Sequence, residues 1–265
     1  KIHTHSFEPD SILGYIKSIG TLEDIKIEDI DEMHNAFVST QKQSTEMVDI
    51  GVVAVSYGHG LDSVLRSLGV LAIVPGGQSM NPSTQEILQG IDTAQARQVI
   101  VLPNNSNVTE AARQASGLSS KVANVLPSNT IPQGIAAMLS FSPEENMESN
   151  IANMENALTT VCTAEITKAV RSSRVNNISV STGQTIGLID GTLVAAFDSD
   201  IEVLKEIMNT VQPSLGSMVT LYWGADATRP EAEVLGDWIR NSLTQVELDL
   251  VYGGQPHYRY IISIE

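Results

Sequence analysis

Four times between residues 46 and about 142, a short aliphatic run gives way to a polar loop and then to a segment with helical spacing of apolar residues. The first unit is Gly51–Val55, the loop Ser56-Tyr57-Gly58-His59-Gly60, and a helix through Leu61, Val64, Leu65 and Leu68. The second is Val70–Pro75, the loop Gly76–Thr84, and a helix from Gln85 through Ile91. The third is Val99–Pro103, Asn104–Asn107 and Val108–Ala115; the fourth is Val122–Pro127, Ser128-Asn129-Thr130 and Pro132–Phe141. Continuous rather than alternating apolar strands are expected when helices cover both faces of a sheet. Strands alternating with helices predict a mostly parallel α/β sheet wound by right-handed crossovers.

The pattern changes after about residue 143. Pro143–Ala157 is polar and acidic and runs into a helix. Strands are predicted around 166–171, 178–180 and 185–188, and Asp190-Gly191 before Leu193–Phe197 is a hairpin signal. A helix over Ile201–Val211, a buried-type strand Val219–Trp223, an amphipathic helix over Pro230–Leu243, and strands over Val246–Tyr252 and Tyr258–Ile264 complete the chain. This part reads as α+β with antiparallel hairpins, and Gly253-Gly254-Gln255 reads as a tight turn between its last two strands. Residues 1–45 hold two strand-like stretches, one helix-like stretch and a polar linker at 39–45, too little to fold alone. Three regions follow: 1–45, the tail of a truncated domain with its linker; 46–142, a βα-repeat subdomain; and 143–265, an α+β subdomain.

In a parallel sheet the loops that follow the strands share one edge, where ligands and partners dock. The loop Gly76-Gly77-Gln78-Ser79-Met80-Asn81-Pro82-Ser83-Thr84 carries the most chemistry. Its glycines permit a sharp turn and close approach. Asn81 before Pro82 reads as an N-cap followed by proline at the first helical position. The loop thereby aims a helix N-terminus beyond the strand, a polarity that suits anions. No Gly-Lys-Ser/Thr follows, and the glycine spacing is not that of a dinucleotide fingerprint. A well-capped turn without a ligand explains Asn81 alone, but not Gln78, Ser79, Ser83 and Thr84 as well. Asn107-x-x-Glu110 and Thr130-x-x-Gln133 resemble capping boxes. The ligand- or partner-binding candidates are therefore Gly76, Gly77, Gln78, Ser79, Asn81, Ser83, Thr84, Asn104, Asn105, Ser106, Asn107, Thr130 and Gln133. No catalytic residue is assigned: His59 is the one usefully titrating group in these loops, and no Ser–His–acid order is legible. His3 and His5 share a strand face and are a candidate but incomplete metal pair, since zinc needs further ligands. Two partly exposed strand histidines are the plainer reading.

Composition narrows the choice. The 265 residues carry 31 acidic against 15 basic side chains, a net charge of −16. So acidic a surface repels phosphate backbones and anionic membranes, which disfavours nucleic acid as a partner. Aromatic residues make up 5%, so the cores are aliphatic. The single cysteine, Cys162, excludes an intramolecular disulfide framework and fits a cytoplasmic compartment. No apolar run reaches the ~18 residues of a membrane span, and no signal peptide is legible. The first residue is Lys1, and the chain reads as the later part of a longer protein.

Three stretches, Gly-Gly-Gln-Ser-Met-Asn-Pro-Ser-Thr-Gln-Glu-Ile (76–87), Leu-Pro-Asn-Asn-Ser-Asn (102–107) and Thr-Ile-Pro-Gln-Gly-Ile-Ala-Ala-Met-Leu (130–139), resemble the C-terminal region of the bacterial fatty acid kinase A subunit, whose family was formerly grouped with dihydroxyacetone kinases. The tail, Gly-Gly-Gln-Pro-x-Tyr followed by Ile-Ile-Ser-Ile-Glu (261–265), resembles the family's C-terminus. The resemblance implies an N-terminal kinase domain that binds Mg–ATP, a middle domain, and this C-terminal domain. No cofactor is implied within the present chain. His3-Thr4-His5 resembles the end of the middle domain, where paired histidines and an upstream cysteine hold zinc; the matching cysteine would precede Lys1. The whole protein would phosphorylate a fatty acid carried by a separate fatty acid-binding B subunit, making acyl phosphate for phospholipid synthesis. The present region, inactive alone, would dock the B subunit or organise its own N-terminal kinase domain. A homodimer is left open. The alternative is an independent small-ligand or phosphate-binding domain or enzyme built on Gly76–Thr84, as the dihydroxyacetone kinase label implies.

Overall fold

The structure is a computed structural model and describes residues 47–76, 81–175 and 177–265. The strand, helix and linker expectations for residues 1–45, and the His3/His5 pair, lie outside the described residues. So do Gly77, Gln78 and Ser79.

The βα repeat forms a parallel sheet. Its strands are β1 (Val48–Ser56), β2 (Ala72–Pro75), β3 (Ala96–Leu102) and β4 (Val122–Val125), in the order β2-β1-β3-β4. The connecting helices are α1 (His59–Ser67), α2 (Thr84–Thr93) and α3 (Thr109–Leu118); α4 (Ile131–Leu139) and α5 (Met147–Leu158) follow β4. Successive β1 side chains point to opposite faces, as strand geometry requires. Val53 and Val55 pack under α2 and α3 with Ile87, Ile91, Val108 and Ala112. Val52 and Ala54 face α1 and α4 with Leu61, Leu65, Ile131 and Ile135. Both faces of the sheet are thus covered, which is why its strands read as unbroken apolar runs.

The second sheet has six strands, ordered β11-β10-β12-β5-β8-β9. They are β5 (Cys162–Lys168), β8 (Thr185–Ile189), β9 (Thr192–Phe197), β10 (Met218–Trp223), β11 (Glu247–Tyr252) and β12 (Tyr258–Ile264). A short hairpin, β6 (Ser173–Val175) with β7 (Ile178–Val180), is inserted between β5 and β8. Helices α6 (Asp200–Val211) and α7 (Arg229–Ser242) cover one face, packing Val203, Leu204, Ile207, Leu235 and Ile239 on Ala164, Ile166, Leu221, Tyr260 and Ile262. From the other face Tyr222 and Ile261 join the core of α1, α4 and β1. One apolar core therefore lies between the two sheets.

The Asp190-Gly191 hairpin is present, with both residues at positive φ (46° and 76°) between the paired Ile189 and Thr192. Three local expectations are corrected. The N-cap of α2 is Ser83, not Asn81, and Pro82 precedes the helix. Ser83 wins because Glu86 stands three residues on and completes a reciprocal capping box. Asn107 does not cap α3: its N-cap position is Val108, without a side-chain bond. Gly253–Gln255 is not a turn between paired neighbours, because β11 and β12 flank β10 on opposite sides, β11 parallel and β12 antiparallel to it. The loop must cross the end of β10, where the Gly253 and Gly254 N–H groups donate to the Trp223 carbonyl at 2.9 and 3.1 Å. Thr130 does cap α4, accepting from the Gln133 N–H, while the Gln133 side-chain carbonyl accepts the Asn129 N–H instead of that of Thr130.

That crossing brings Gly253 against α1. A Cβ on Gly60 would lie 1.7 Å from the Tyr252 carbonyl oxygen. No rotamer relieves a clash with backbone. Gly60→Ala is therefore expected to lower unfolding free energy by roughly 3 kcal/mol or more, at the upper end of overpacking costs. Urea titration measures this, and a loss below about 1 kcal/mol would contradict the contact.

Candidate functional site

With the strand order β2-β1-β3-β4, the sheet reverses direction of winding between β1 and β3. In such sheets the crevice at the carboxyl ends of these two strands is the usual ligand position. Here the chain itself fills it. The Gly60 and Leu61 N–H groups both donate to the Gly253 carbonyl at 3.0 Å. Gly58, at φ 107°, leaves room for the Gln255 backbone, which a Cβ would approach to 2.6 Å. The first-turn donors of α1, which elsewhere could hold an anion, are spent on a carbonyl.

At the start of α2 the free N–H groups meet a side chain instead. Ser83 and Glu86 bind each other at the start of α2: Glu86 Oε2 accepts the Ser83 N–H at 2.7 Å and its hydroxyl at 2.8 Å. These bonds from Ser83 hold the Glu86 carboxyl below the usual carboxylate range. A fixed negative charge thus already sits at that helix N-terminus. Of the other candidates in this loop, Gly76 donates its N–H to the Ser56 carbonyl at 3.0 Å. Thr84 donates its hydroxyl to Gln114 Oε1 of α3 at 3.3 Å. Asn81 is exposed.

The third and fourth loops meet through Asn104. It lies at φ 53°, is 3% exposed, and donates Nδ2–H to the Val55 carbonyl at 2.9 Å. Ser128 Oγ accepts the Asn104 N–H at 3.0 Å and donates to Asn104 Oδ1 at 2.8 Å. Gly134 of α4 has no side chain because the Asn104 carboxamide occupies that space; a Cβ there would be 2.2 Å from Oδ1. Asn105 is also buried, and its Oδ1 accepts the Asn107 N–H at 2.9 Å. Thr130 pairs its hydroxyl with that of Thr163 on β5 at 2.8 Å, tying the rim to the second sheet.

The candidates therefore fall into two groups. Asn104, Asn105 and Thr130 hold the loops together, along with Ser128. Asn81, Ser83, Ser106 and Asn107 are at the surface, and Gln133 is partly so. Gln133 lines an open cleft of about 440 Å³ with Asn129, Glu155, Thr159 and Asp190. Among the described residues no group of three or more His, Cys, Asp or Glu side chains could hold a metal ion. No helix among them is long and apolar enough to cross a membrane.

Two buried polar residues escaped the sequence reading. Gln255 is 0% exposed; its Nε2–H donates to the Tyr222 carbonyl at 3.0 Å, while Oε1 has no partner. Its only signal was the repeated Gly-Gly-Gln. Glu165 follows Thr163 by two residues on β5 and so shares its face, toward the rim, beside Tyr57 and Tyr258. Burial, and then the Asp190 charge, push its carboxyl up to about 7. A lone acid between Ala164 and Ile166 in an apolar strand was the available clue.

The fold is that of a parallel α/β layer locked onto a mixed second sheet, with an amide-rich rim between them that also carries the Glu86 carboxylate. The chain belongs to the family of C-terminal domains like that of the fatty acid kinase A subunit, whose model matches residues 51–265. Protein YloV of Bacillus subtilis (strain 168) is 32% identical in an alignment of 271 positions that covers 100% of this chain and 49% of that protein. The chain thus spans about half the length of the curated relatives it matches. Among solved structures, the DegV family protein Cg2579 from Corynebacterium glutamicum superposes with a TM-score of 0.61 at 13% identity, over 82% of this chain and 97% of that one. The fatty acid kinase B3 protein of Streptococcus pneumoniae, loaded with linoleic acid, gives 0.54 at 9% identity, over 82% and 99%. Both likenesses are of fold.

Two outcomes follow from the buried groups. Asn104→Ala leaves the Val55 carbonyl and Ser128 without their partner and should cost roughly 2–3 kcal/mol in urea titration, against under about 0.5 for the surface change Asn107→Ala. Glu165 titrates near 7 when folded against 4.5 ordinarily. Between these values the folded chain keeps a proton that the unfolded chain has lost, so stability falls as pH rises through that window. Glu165→Gln should remove this fall and exceed the parent by roughly 3 kcal/mol at about pH 8. Parallel pH profiles for the two proteins would contradict it.

Proposed function

We propose that this chain is the non-nucleotide-binding region of a fatty acid kinase A subunit, and that it docks the fatty acid-binding B subunit of the enzyme that makes acyl phosphate for phospholipid synthesis. The family match over residues 51–265 carries this reading. It is supported by what the rim offers. Its outward part, Asn81, Ser83, Ser106, Asn107 and Gln133, is rich in short amides and hydroxyls, with the exposed Glu86 and Glu110 carboxylates beside them. Such a surface suits recognition of another protein's polar groups better than bond-making. In the parent protein the kinase chemistry, with its Mg–ATP, belongs to the N-terminal half. An independent phosphate site has less support, because the α1 donors are taken by Gly253 and the α2 N-terminus carries Glu86.

The test is titration of the full-length parent against its B subunit. Asn81→Ala, Ser106→Ala and Asn107→Ala combined should weaken binding by about tenfold or more, roughly 1.4 kcal/mol, with the urea midpoint unchanged. Deletion of residues 46–265 should abolish copurification. Unaltered affinity in the triple variant would remove the rim from the account.

A further inference from the structure

Glu165 stands where the two segments that close the crevice converge. Its strand, β5, lies between β12 and β8, with Ile261 and Leu188 as its partners in register. Its side chain is 9% exposed and lies beside Tyr57 and Tyr258. Tyr57 immediately precedes Gly58, in the loop that carries the Gly60 and Leu61 N–H groups. Tyr258 follows Gln255 by three residues, at the end of the strap that presents the Gly253 carbonyl. The Thr167 hydroxyl of β5 donates to the His257 carbonyl at 2.6 Å, which joins the strap to this strand. Both sides of the contact between α1 and Gly253 thus rest near one carboxyl group.

The groups around that carboxyl do not welcome its charge. The β8–β9 turn brings Asp190, whose Oδ1 accepts the Thr163 N–H at 3.0 Å and whose own negative charge bears on Glu165. Tyr57 from the β1–α1 loop and Tyr258 from β12 are phenols that burial, and then the Glu165 charge, hold protonated far above neutrality. On the same strand, burial and then Asp190 push the Cys162 thiol up to about 11. From the N-cap of α4 comes the neutral Thr130 hydroxyl, bound to Thr163. His59 and His257, on the two converging segments, are exposed. An ionised Glu165 therefore gains full solvation only when the segments over it move aside.

We propose that Glu165 is a proton-operated latch on the crevice: its protonated form keeps the Tyr57–Leu61 loop joined to the Gly253–Tyr258 strap, and its ionisation parts them and uncovers the Gly60 and Leu61 N–H groups. The two sheets stay folded as this happens, because the packing of Val52, Ile100, Leu61 and Ile131 is apolar and does not titrate.

Hydrogen exchange of the full-length parent, read by mass spectrometry and corrected for the intrinsic pH dependence of amide exchange, tests this. The carboxyl keeps its proton up to about 7 in place, against 4.5 ordinarily. From about pH 6 to about pH 8.5 the opening constant should therefore rise roughly tenfold, and protection of residues 57–62 and 253–258 should fall by that factor. Low, non-denaturing urea should leave this exchange unchanged, which marks local opening, while residues 99–102 of β3 stay far better protected. In Glu165→Gln the protection should not vary with pH, which separates Glu165 from His59 and His257. Protection indifferent to pH in the parent, an equal fall in Glu165→Gln, or exchange of residues 57–62 only in step with 99–102 overturns the proposal. Should Glu165→Gln fold poorly, the pH dependence, the urea dependence and the comparison with 99–102 in the parent decide alone.

Discussion

One carbonyl group organises the middle of this molecule. The Gly253 oxygen accepts the N–H groups of both Gly60 and Leu61. A helix N-terminus leaves its first N–H groups without intrahelical partners, and α1 has no side-chain cap. Those donors lie at the seam between the sheets, so a backbone acceptor from the other sheet answers them. The acceptor can reach them only because residues 58 and 60 lack a Cβ. It is presented there only because β11 and β12 sit on opposite sides of β10, which forces their connection across the strand end. Sheet order, loop path and helix capping thus depend on one another.

The same seam sets what the rim can do. Asn104 spends its carboxamide on Val55 and Ser128, and Thr130 spends its hydroxyl on Thr163. These groups fix the loops in place and leave a thinner layer of exposed amides and hydroxyls above them. A surface of exposed amides and hydroxyls is suited to being recognised. On the far face of the second sheet the bonding is ionic instead. Arg259 of β12 reaches Asp200 at 2.8 Å and Glu231 at 2.9 Å, tying the N-terminal turns of α6 and α7 to one strand. Glu231 is held at about 2 by its bonds from Thr228, and then by Arg259.

Much of this was legible from residue order. The four βα units, their parallel pairing and the Asp190-Gly191 hairpin all follow from periodicity and turn chemistry, which act over a few residues. Thr130 was legible as a cap for the same reason. Asn81 was misassigned because Asn-Pro and Ser-x-x-Glu overlap within a few positions, and the second has two reciprocal bonds where the first has one. The division of the candidate loops into buried scaffold and exposed surface was not visible. Asn104 and Asn107 are the same residue type in the same loop. One lies under Gly134 of a later helix and the other faces outward.

By itself the sequence determined the local elements, the parallel character of the first sheet and the family, because hydrophobic period, caps and long motifs are contiguous. Only the tertiary structure decided that Gly253 closes the crevice and that Glu165 and Gln255 are buried at the seam. Each of those outcomes joins residues tens to nearly two hundred positions apart, or depends on which face of a strand turns inward, and neither is encoded within any single window of the chain.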